Sequence, residues 1–120
     1  MSEQSYPLDT NQVEWEDPRL LRDIYPTGVM QKVLWEDKKT GATIMMTKYP
    51  AGPGSEAHTH PKANEAFYIL YGEGEDSEGN RRTAKGWFNY IPKGVKHGGT
   101  AGWKYTKETV IIQFFDGPRI

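Results

Sequence analysis

Short apolar runs separated by turn residues are the dominant pattern along this chain. The runs are rich in β-branched and aromatic residues, which favour strands over helices. The four longest are VMQKVLW at 29–35, ATIMMTKY at 42–49, EAFYILY at 65–71 and TVIIQFF at 109–115. Two shorter runs, 81–84 and 87–91, predict further strands. No periodic segment is long enough for a helix of more than two turns, so the pattern predicts an all-β protein.

Glycines and prolines end almost every apolar run. There are thirteen glycines and eight prolines in 120 residues, and they predict tight turns at most of the junctions. Residues 37–41 (DKKTG) predict a hairpin turn, and the acidic segment 72–80 predicts a solvated turn. Many short strands favour a closed or double-sheet architecture, since it leaves few free strand edges. We expect an arm over residues 1–26 and one domain over residues 27–120, because 120 residues build one core comfortably but not two.

Composition and charge exclude several classes of function. Fifteen Lys and Arg residues balance sixteen Asp and Glu residues, with a formal net charge of -1, so we expect no nucleic-acid partner. The absence of cysteine excludes disulfides and thiolate ligands. No segment reaches the roughly 18 consecutive apolar residues of a membrane helix, and the polar N-terminus does not read as a secretory signal. The expectation is a cytoplasmic protein without a membrane partner.

All three histidines of the chain fall in two blocks bounded by glycines. His58 and His60 are two residues apart on an extended segment, so their side chains point to the same side of the backbone. Glu65 follows after a turn, and His97 belongs to the second block. Any single histidine could be a packed or surface residue, but the grouping favours a metal site. Three neutral imidazoles and a carboxylate suit Fe, Mn, Co, Ni, Cu or Zn and leave coordination positions open for substrate.

The two blocks resemble the paired sequence motifs of the cupin family. The first motif, G-x5-HxH-x4-E-x6-G, is matched at Gly52, His58, His60, Glu65 and Gly72. The second, G-x5-PxG-x2-H, is matched at Gly86, Pro92, Gly94 and His97. One position departs from the family, since Ala101 replaces its usual asparagine. The resemblance implies a double-stranded β-helix, the jelly-roll barrel of cupins, with His58, His60, Glu65 and His97 as metal ligands.

A finer resemblance concerns the segments EAFYILYGEGEDSEG at 65–79 and FFDGP at 114–118. They are similar to small cupins such as anti-sigma-factor cupin domains and the dioxygenases that cleave acetylacetone and dihydroxyacetophenone. That resemblance implies non-haem Fe(II), the favoured metal, and cleavage of a carbon–carbon bond next to a carbonyl with insertion of both oxygen atoms. Two alternatives stay open: a non-oxidative lyase, isomerase or cyclase, and a metabolite-sensing cupin without turnover.

Further residues are candidates for catalysis beside Glu65. Gln113 is the polar residue inside an apolar strand; facing inward it would orient substrate or a metal-bound water, and facing outward it would be a surface residue. Tyr90 is a possible proton donor, and so are Tyr68 and Tyr105. If Glu65 faces the metal, strand alternation directs Phe67 and Ile69 to the same side, which predicts a largely apolar pocket for a small organic substrate.

The expected protein partner is a second copy of the chain. Cupins of this size often dimerise through an N-terminal strand. The strand at 29–35 and the arm before it are the segments that would pair, because a free strand edge invites another strand.

Overall fold

Two antiparallel sheets make up the structure, a computed structural model that describes residues 5–76, 78–79, 82–100 and 102–120. The larger sheet has five strands, in the spatial order β1 (Met30–Glu36), β2 (Thr43–Tyr49), β9 (Thr109–Phe115), β4 (Glu65–Tyr71) and β7 (Phe88–Ile91). The smaller sheet has four, in the order β3 (Gly52–Pro53), β8 (Lys104–Tyr105), β5 (Glu73–Glu75) and β6 (Arg82–Ala84). The prediction of a single all-β domain is confirmed.

The longest strands lie where the apolar runs predict them. β4 and β9 begin and end at the predicted residues, while β1 and β2 are displaced or shortened by one residue at an end. The segment 72–80 is not all turn, because its first part forms β5. β5 pairs with both β6 and β8, and these tertiary hydrogen bonds override the turn-like composition. Arg81, at the start of a predicted strand, and Ala101 lie outside the described residues.

Side chains alternate between the inside and the outside of the larger sheet. Along β2 every second residue from Thr43 to Tyr49 is buried, and the residues between them are half-buried. The inner face holds two apolar clusters. One contains Val29, Tyr49, Ile69 and Ile111, and the other contains Met45, Ala63 and Phe115. The polar side chains of Gln31, Thr47, Glu65 and Gln113 are also buried on this face.

The N-terminal segment lies against the larger sheet. Its described part, from residue 5 onward, contains two short 3-10 turns, Thr10–Gln12 and Arg22–Ile24. Between them, Glu16 exchanges two backbone hydrogen bonds with Gln31, of 2.9 and 2.7 Å. The division between an arm and a domain at residue 26 stays a prediction. No helix in the described part of the chain is long and apolar enough to span a membrane.

Candidate metal centre

The two histidine blocks meet through a single antiparallel bridge. His58 and His97 each donate a backbone hydrogen bond of 2.9 Å to the carbonyl of the other. Gly98 and Gly99, directly after His97, have φ angles of +75° and +65°. A Cβ at Gly99 would lie 2.6 Å from the backbone nitrogen of Ala57. Glycine is needed here because the turn takes left-handed φ angles and touches the backbone beside His58.

The three histidines form a group that could hold one metal ion. One ligand atom from each of His58, His60 and His97 lies within 4.8 Å of those of the other two. Glu65, the first residue of β4, lies beside two of them: its Oε1 is 3.5 Å from His60 Nε2 and 3.4 Å from His97 Nε2. The structure therefore brings together all four residues that the sequence motifs select.

Backbone carbonyls orient the three rings. The Nδ1 atoms of His58, His60 and His97 lie 2.6, 2.6 and 3.0 Å from the carbonyl oxygens of Glu56, Arg119 and Val95, respectively. A carbonyl oxygen only accepts hydrogen bonds, so each Nδ1 carries a proton. In the neutral ring, Nε2 then keeps its lone pair, which is the form that binds a metal.

The environment of His97 Nε2 tests whether the site fits a cation. This atom is buried and makes no hydrogen bond with any residue that the structure describes. Its neighbour Glu65 Oε1, at 3.4 Å, is a carboxylate oxygen. A neutral Nε2 and a carboxylate are both acceptors and repel each other, whereas a cation would attract both. The donor set of nitrogen and carboxylate oxygen atoms suits a divalent transition metal.

Burial and nearby charge shift the pKa values of the three imidazoles in different directions. Burial lowers the pKa of His58 and of His60, which keeps both rings neutral. Burial also acts to lower the pKa of His97, but the Glu65 carboxylate and the Val95 carbonyl together raise that pKa above 6.5. His97 is therefore the ring that interacts most strongly with the carboxylate.

A buried hydrogen-bond chain runs from Glu65 across four strands. Gln113 Nε2 donates to Glu65 Oε2 at 3.0 Å. The Thr47 hydroxyl donates to Gln113 Oε1, and Gln31 Nε2 donates to Thr47 Oγ1 at 3.2 Å. Each donor points towards Glu65, so the chain stabilises its negative charge and fixes its orientation.

Gln113 faces inward, which decides between the two interpretations of this residue. Its side chain contacts Thr47 through the amide oxygen and Glu65 through the amide nitrogen. Both ends of the amide are therefore engaged by protein groups. Gln113 thus orients Glu65; it also lines the cavity, and its predicted contact with substrate or a metal-bound water stays a prediction.

Tyr90 is not part of the site. Its side chain is 54 % exposed on the outer face of β7, and Asn89 and Ile91 line the cavity instead. The sequence did not indicate which side of this strand faces inward. Because Asn89 and Ile91 line the cavity, the alternation of side chains directs Tyr90 away from the candidate metal ligands. The interpretation of Tyr90 as a proton donor at the site is therefore wrong.

A cavity of about 680 Å³ lies between the two sheets and includes the four candidate ligands in its wall. Phe67 and Ile69 line it, as alternation from Glu65 predicts. Three tyrosines line it as well: the buried Tyr49 and the partly buried Tyr25 and Tyr105. Burial raises the pKa of Tyr105 to about 12 and that of Tyr49 well above its ordinary value, so both phenols stay protonated.

The sequence interpretation named Tyr105 as a possible proton donor but missed Tyr25 and Tyr49. Tyr49 had a usable signal, since it alternates with Thr47 and Met45 on the inner face of β2. Tyr25 had none, because it lies in the irregular N-terminal segment and reaches the cavity only through tertiary packing against Tyr49.

Two antiparallel sheets that enclose a cavity, with three histidines and a glutamate converging on its wall, define a cupin with a candidate metal site. The ChrR cupin-like domain model matches residues 3–118, and the chain belongs to this family. No curated protein matches the sequence.

Solved structures share the fold at low sequence identity. An RmlC-like cupin protein from Ralstonia eutropha JMP134 is 22% identical, with a TM-score of 0.74 over 95% of this chain and 69% of that chain. An acetylacetone dioxygenase from Acinetobacter johnsonii is 17% identical, with a TM-score of 0.69 over 98% and 76%. A chain in the complex of SigE with the anti-sigma ChrR from Rhodobacter sphaeroides is 17% identical, with a TM-score of 0.62 over 90% and 52%.

Proposed function

We propose that this cupin is a metal-dependent dioxygenase that uses Fe(II) to cleave a carbon–carbon bond next to a carbonyl group in a small organic substrate. The observation that carries the proposal is the convergence of three imidazoles, each with Nδ1 held by a carbonyl, on the wall of a cavity of about 680 Å³. A structural metal site is normally closed by its ligands, whereas a site that faces a cavity leaves room for a substrate.

The residues of the site have separate roles in this proposal. His58, His60 and His97 hold the metal, with Glu65 beside two of them. A bound Fe(II) ion supplies Lewis-acid activation of a carbonyl oxygen and the redox chemistry of dioxygen. Gln113 holds one oxygen of the Glu65 carboxylate, Oε2. The other oxygen, Oε1, lies beside His60 Nε2 and His97 Nε2, where it would contribute negative charge to a bound cation.

The walls of the cavity support an organic substrate with a planar part. Phe67, Tyr49, Trp103 and Tyr105 all line it, and the rings of Tyr49 and Tyr105 lie 4.7 Å apart. Such walls favour flat conjugated groups and exclude water from the reacting carbonyl. The acetylacetone dioxygenase from Acinetobacter johnsonii has the same fold, which supports the choice of 1,3-dicarbonyl compounds and aromatic ketones as first substrates.

Oxygen consumption tests the proposal. The purified chain would be stripped of metal, loaded with Fe(II) without oxygen, and mixed with acetylacetone and a panel of aryl ketones in aerated buffer. We expect oxygen uptake that matches substrate loss one to one, and no uptake by a His60→Ala variant. Substrate loss without oxygen uptake would support instead a non-oxidative lyase, isomerase or cyclase.

A sensing role is the second candidate, and the family match favours it. The chain belongs to the ChrR cupin-like family and shares its fold with a chain from the complex of SigE with the anti-sigma ChrR. In this case the site would bind a metal and a metabolite without turnover. Saturable binding of the substrate panel in calorimetry, with unchanged ligand recovered after long incubation with Fe(II) and oxygen, would favour sensing over catalysis.

A further inference from the structure

Two buried side-chain atoms among the described residues make no hydrogen bond, and both belong to residues in the wall of the cavity. One is His97 Nε2, at the candidate metal centre. The other is the hydroxyl oxygen of Thr83, a residue of β6 that is 8 % exposed. A buried polar group without a partner costs free energy, so each such group calls for a specific explanation. The metal centre explains the first of these atoms and does not explain the second.

Strand pairing places the Thr83 side chain on the face of the smaller sheet that borders the cavity. Gly74 of β5 pairs with Thr83 on one side and with Tyr105 of β8 on the other, so the three residues form one row across the sheet. Residues that pair directly have their side chains on the same face, and Thr83 and Tyr105 both line the cavity. The neighbours of Thr83 along β6, Arg82 and Ala84, are exposed.

The other buried polar side chains that line the cavity in the described part of the chain have partners within the protein. Gln113 uses both ends of its amide, and one of them donates to Glu65 Oε2. His60 Nδ1 bonds to the carbonyl oxygen of Arg119. The Thr83 hydroxyl can donate one hydrogen bond and accept two, and it makes none. Its bonding capacity is therefore available to a molecule that fills the cavity.

Aromatic surface borders Thr83 and shapes what such a molecule can be. The Trp103 ring packs over Gly74, the partner of Thr83 in its row, since a Cβ at Gly74 would lie 2.5 Å from Trp103 Cζ2. On the larger sheet, Phe67 and its partner Asn89 line the same cavity. Rings of this kind favour a flat, conjugated group. A ligand that also reaches Thr83 therefore combines a planar part with a hydrogen-bonding group.

We propose that the Thr83 hydroxyl binds a second polar group of the substrate, apart from the carbonyl group that reacts. The favoured substrates are then conjugated carbonyl compounds whose planar part carries a hydroxyl or a similar hydrogen-bonding group. The carbonyl end of this description rests on the proposed function, whereas the polar end rests on Thr83. Because the oxygen is covered in this structure, contact with a ligand requires the side chain to rotate about χ1 between staggered positions.

Calorimetric titration of the Zn(II)-loaded chain tests the proposal, because zinc has no redox chemistry and the ligand is not oxidised. The probes are 1-phenyl-1,3-butanedione and its 3-hydroxyphenyl and 4-hydroxyphenyl forms. A hydrogen bond to a buried group that otherwise has no partner gives about 10-fold in affinity. We therefore expect the unmodified chain to bind the better hydroxylated probe about 10-fold more tightly than the parent compound. Thr83→Val should reduce this preference to less than about 2-fold, and Thr83→Ser, which keeps the hydroxyl, should retain it.

The stability of the variants separates a role in binding from a role in the fold. Thr83→Val replaces a buried hydroxyl that has no partner with a methyl group of similar size, so we expect its urea midpoint to be equal to that of the unmodified chain or higher. Thr100→Val is the matched control, because Thr100 also lines the cavity but is exposed. Its hydroxyl is already hydrated, and its preference among the probes should be unchanged.

Three results would overturn this proposal. The first is equal affinity of the unmodified chain for all three probes. The second is a preference for the hydroxylated probe that survives Thr83→Val or is lost equally in Thr100→Val, since the contact would then lie elsewhere. The third is a lower urea midpoint for Thr83→Val, which would show that the hydroxyl stabilises the fold. Oxygen uptake is measured separately, so a chain that keeps the Thr83-dependent preference but consumes no oxygen would reject the dioxygenase and support this contact.

Discussion

Replacing Thr47 by valine tests whether the buried hydrogen-bond chain positions Glu65. Thr47 is fully buried, donates to Gln113 Oε1 and accepts from Gln31 Nε2 at 3.2 Å. Valine has nearly the same shape but no hydroxyl group. The variant therefore removes the connection between Gln31 and Gln113 without opening a cavity, and it leaves the bond from Gln113 to Glu65 without its support.

The size of the effect follows from the two partners that lose a hydrogen bond. A buried polar group left without a partner costs about 1–3 kcal/mol, so we expect Thr47→Val to lower the free energy of unfolding by about 2 kcal/mol. Groups that orient a metal ligand change metal affinity about 10- to 100-fold when they are removed. Thr47 acts on Glu65 through Gln113, so we expect a loss near 10-fold.

Urea unfolding of the metal-free chain measures the first effect, and titration with Co(II), followed by its visible absorption, measures the second. Thr47→Ser is the matched control, because it keeps the hydroxyl and removes one methyl group. We expect it to lose about 1 kcal/mol of stability and none of its Co(II) affinity. If Thr47→Val loses stability while its Co(II) affinity and spectrum stay those of the unmodified chain, the hydrogen-bond chain does not position Glu65.

Three further predictions concern the site and the loops around it. Gly99→Ala should lower Co(II) affinity more than Gly94→Ala, because both have positive φ angles but only Gly99 has backbone within 3 Å of the added Cβ; equal losses would contradict this. His58→Ala should abolish metal retention, as measured by elemental analysis after dialysis, and full retention would remove His58 from the ligand set. Hydrogen bonds from Asn64 lower the pKa of Asp116 below 3.8, so their contribution to stability is present above that pH and is lost as pH falls through the lowered pKa. Asp116→Ala should therefore flatten the stability curve in urea unfolding at acid pH, whereas an unchanged acid slope would show that this pair does not stabilise the fold.

Spacing along the chain was enough to predict which residues come together at the candidate metal centre. The separation of His58 from His60 is a property of extended backbone, and the glycines and prolines around them mark turns by their own conformational limits. The strands β4 and β9 were predictable for the same reason, since their composition is dominated by β-branched and aromatic residues. Local sequence patterns were therefore sufficient to predict the strands and the candidate ligands on or beside them.

Side-chain contacts between different strands of the sheet were not predictable in this way. Gln31, Thr47 and Gln113 lie in three different strands, and no local sequence pattern indicates that their side chains form hydrogen bonds with one another. The direction of Tyr90 depends on which side of β7 packs on the core, and a four-residue strand carries too few apolar residues to fix it. Tyr25 enters the cavity from a segment without regular structure. Each of these facts depends on tertiary packing rather than on periodicity.

The buried hydrogen-bond chain on the inner face is best explained by a role in the candidate metal site rather than by a contribution to the stability of the fold. Replacing buried charged and hydrogen-bonded groups with apolar residues of similar volume is often neutral or stabilising, and burial without partners is costly. The inner face already holds two apolar clusters, one on each side of this chain. A barrel that needed only a core would be as stable with leucine at Gln113 and Glu65. A carboxylate held by aligned donors, 3.4 Å from an imidazole nitrogen that has no hydrogen-bond partner among the described residues, is useful where a cation binds.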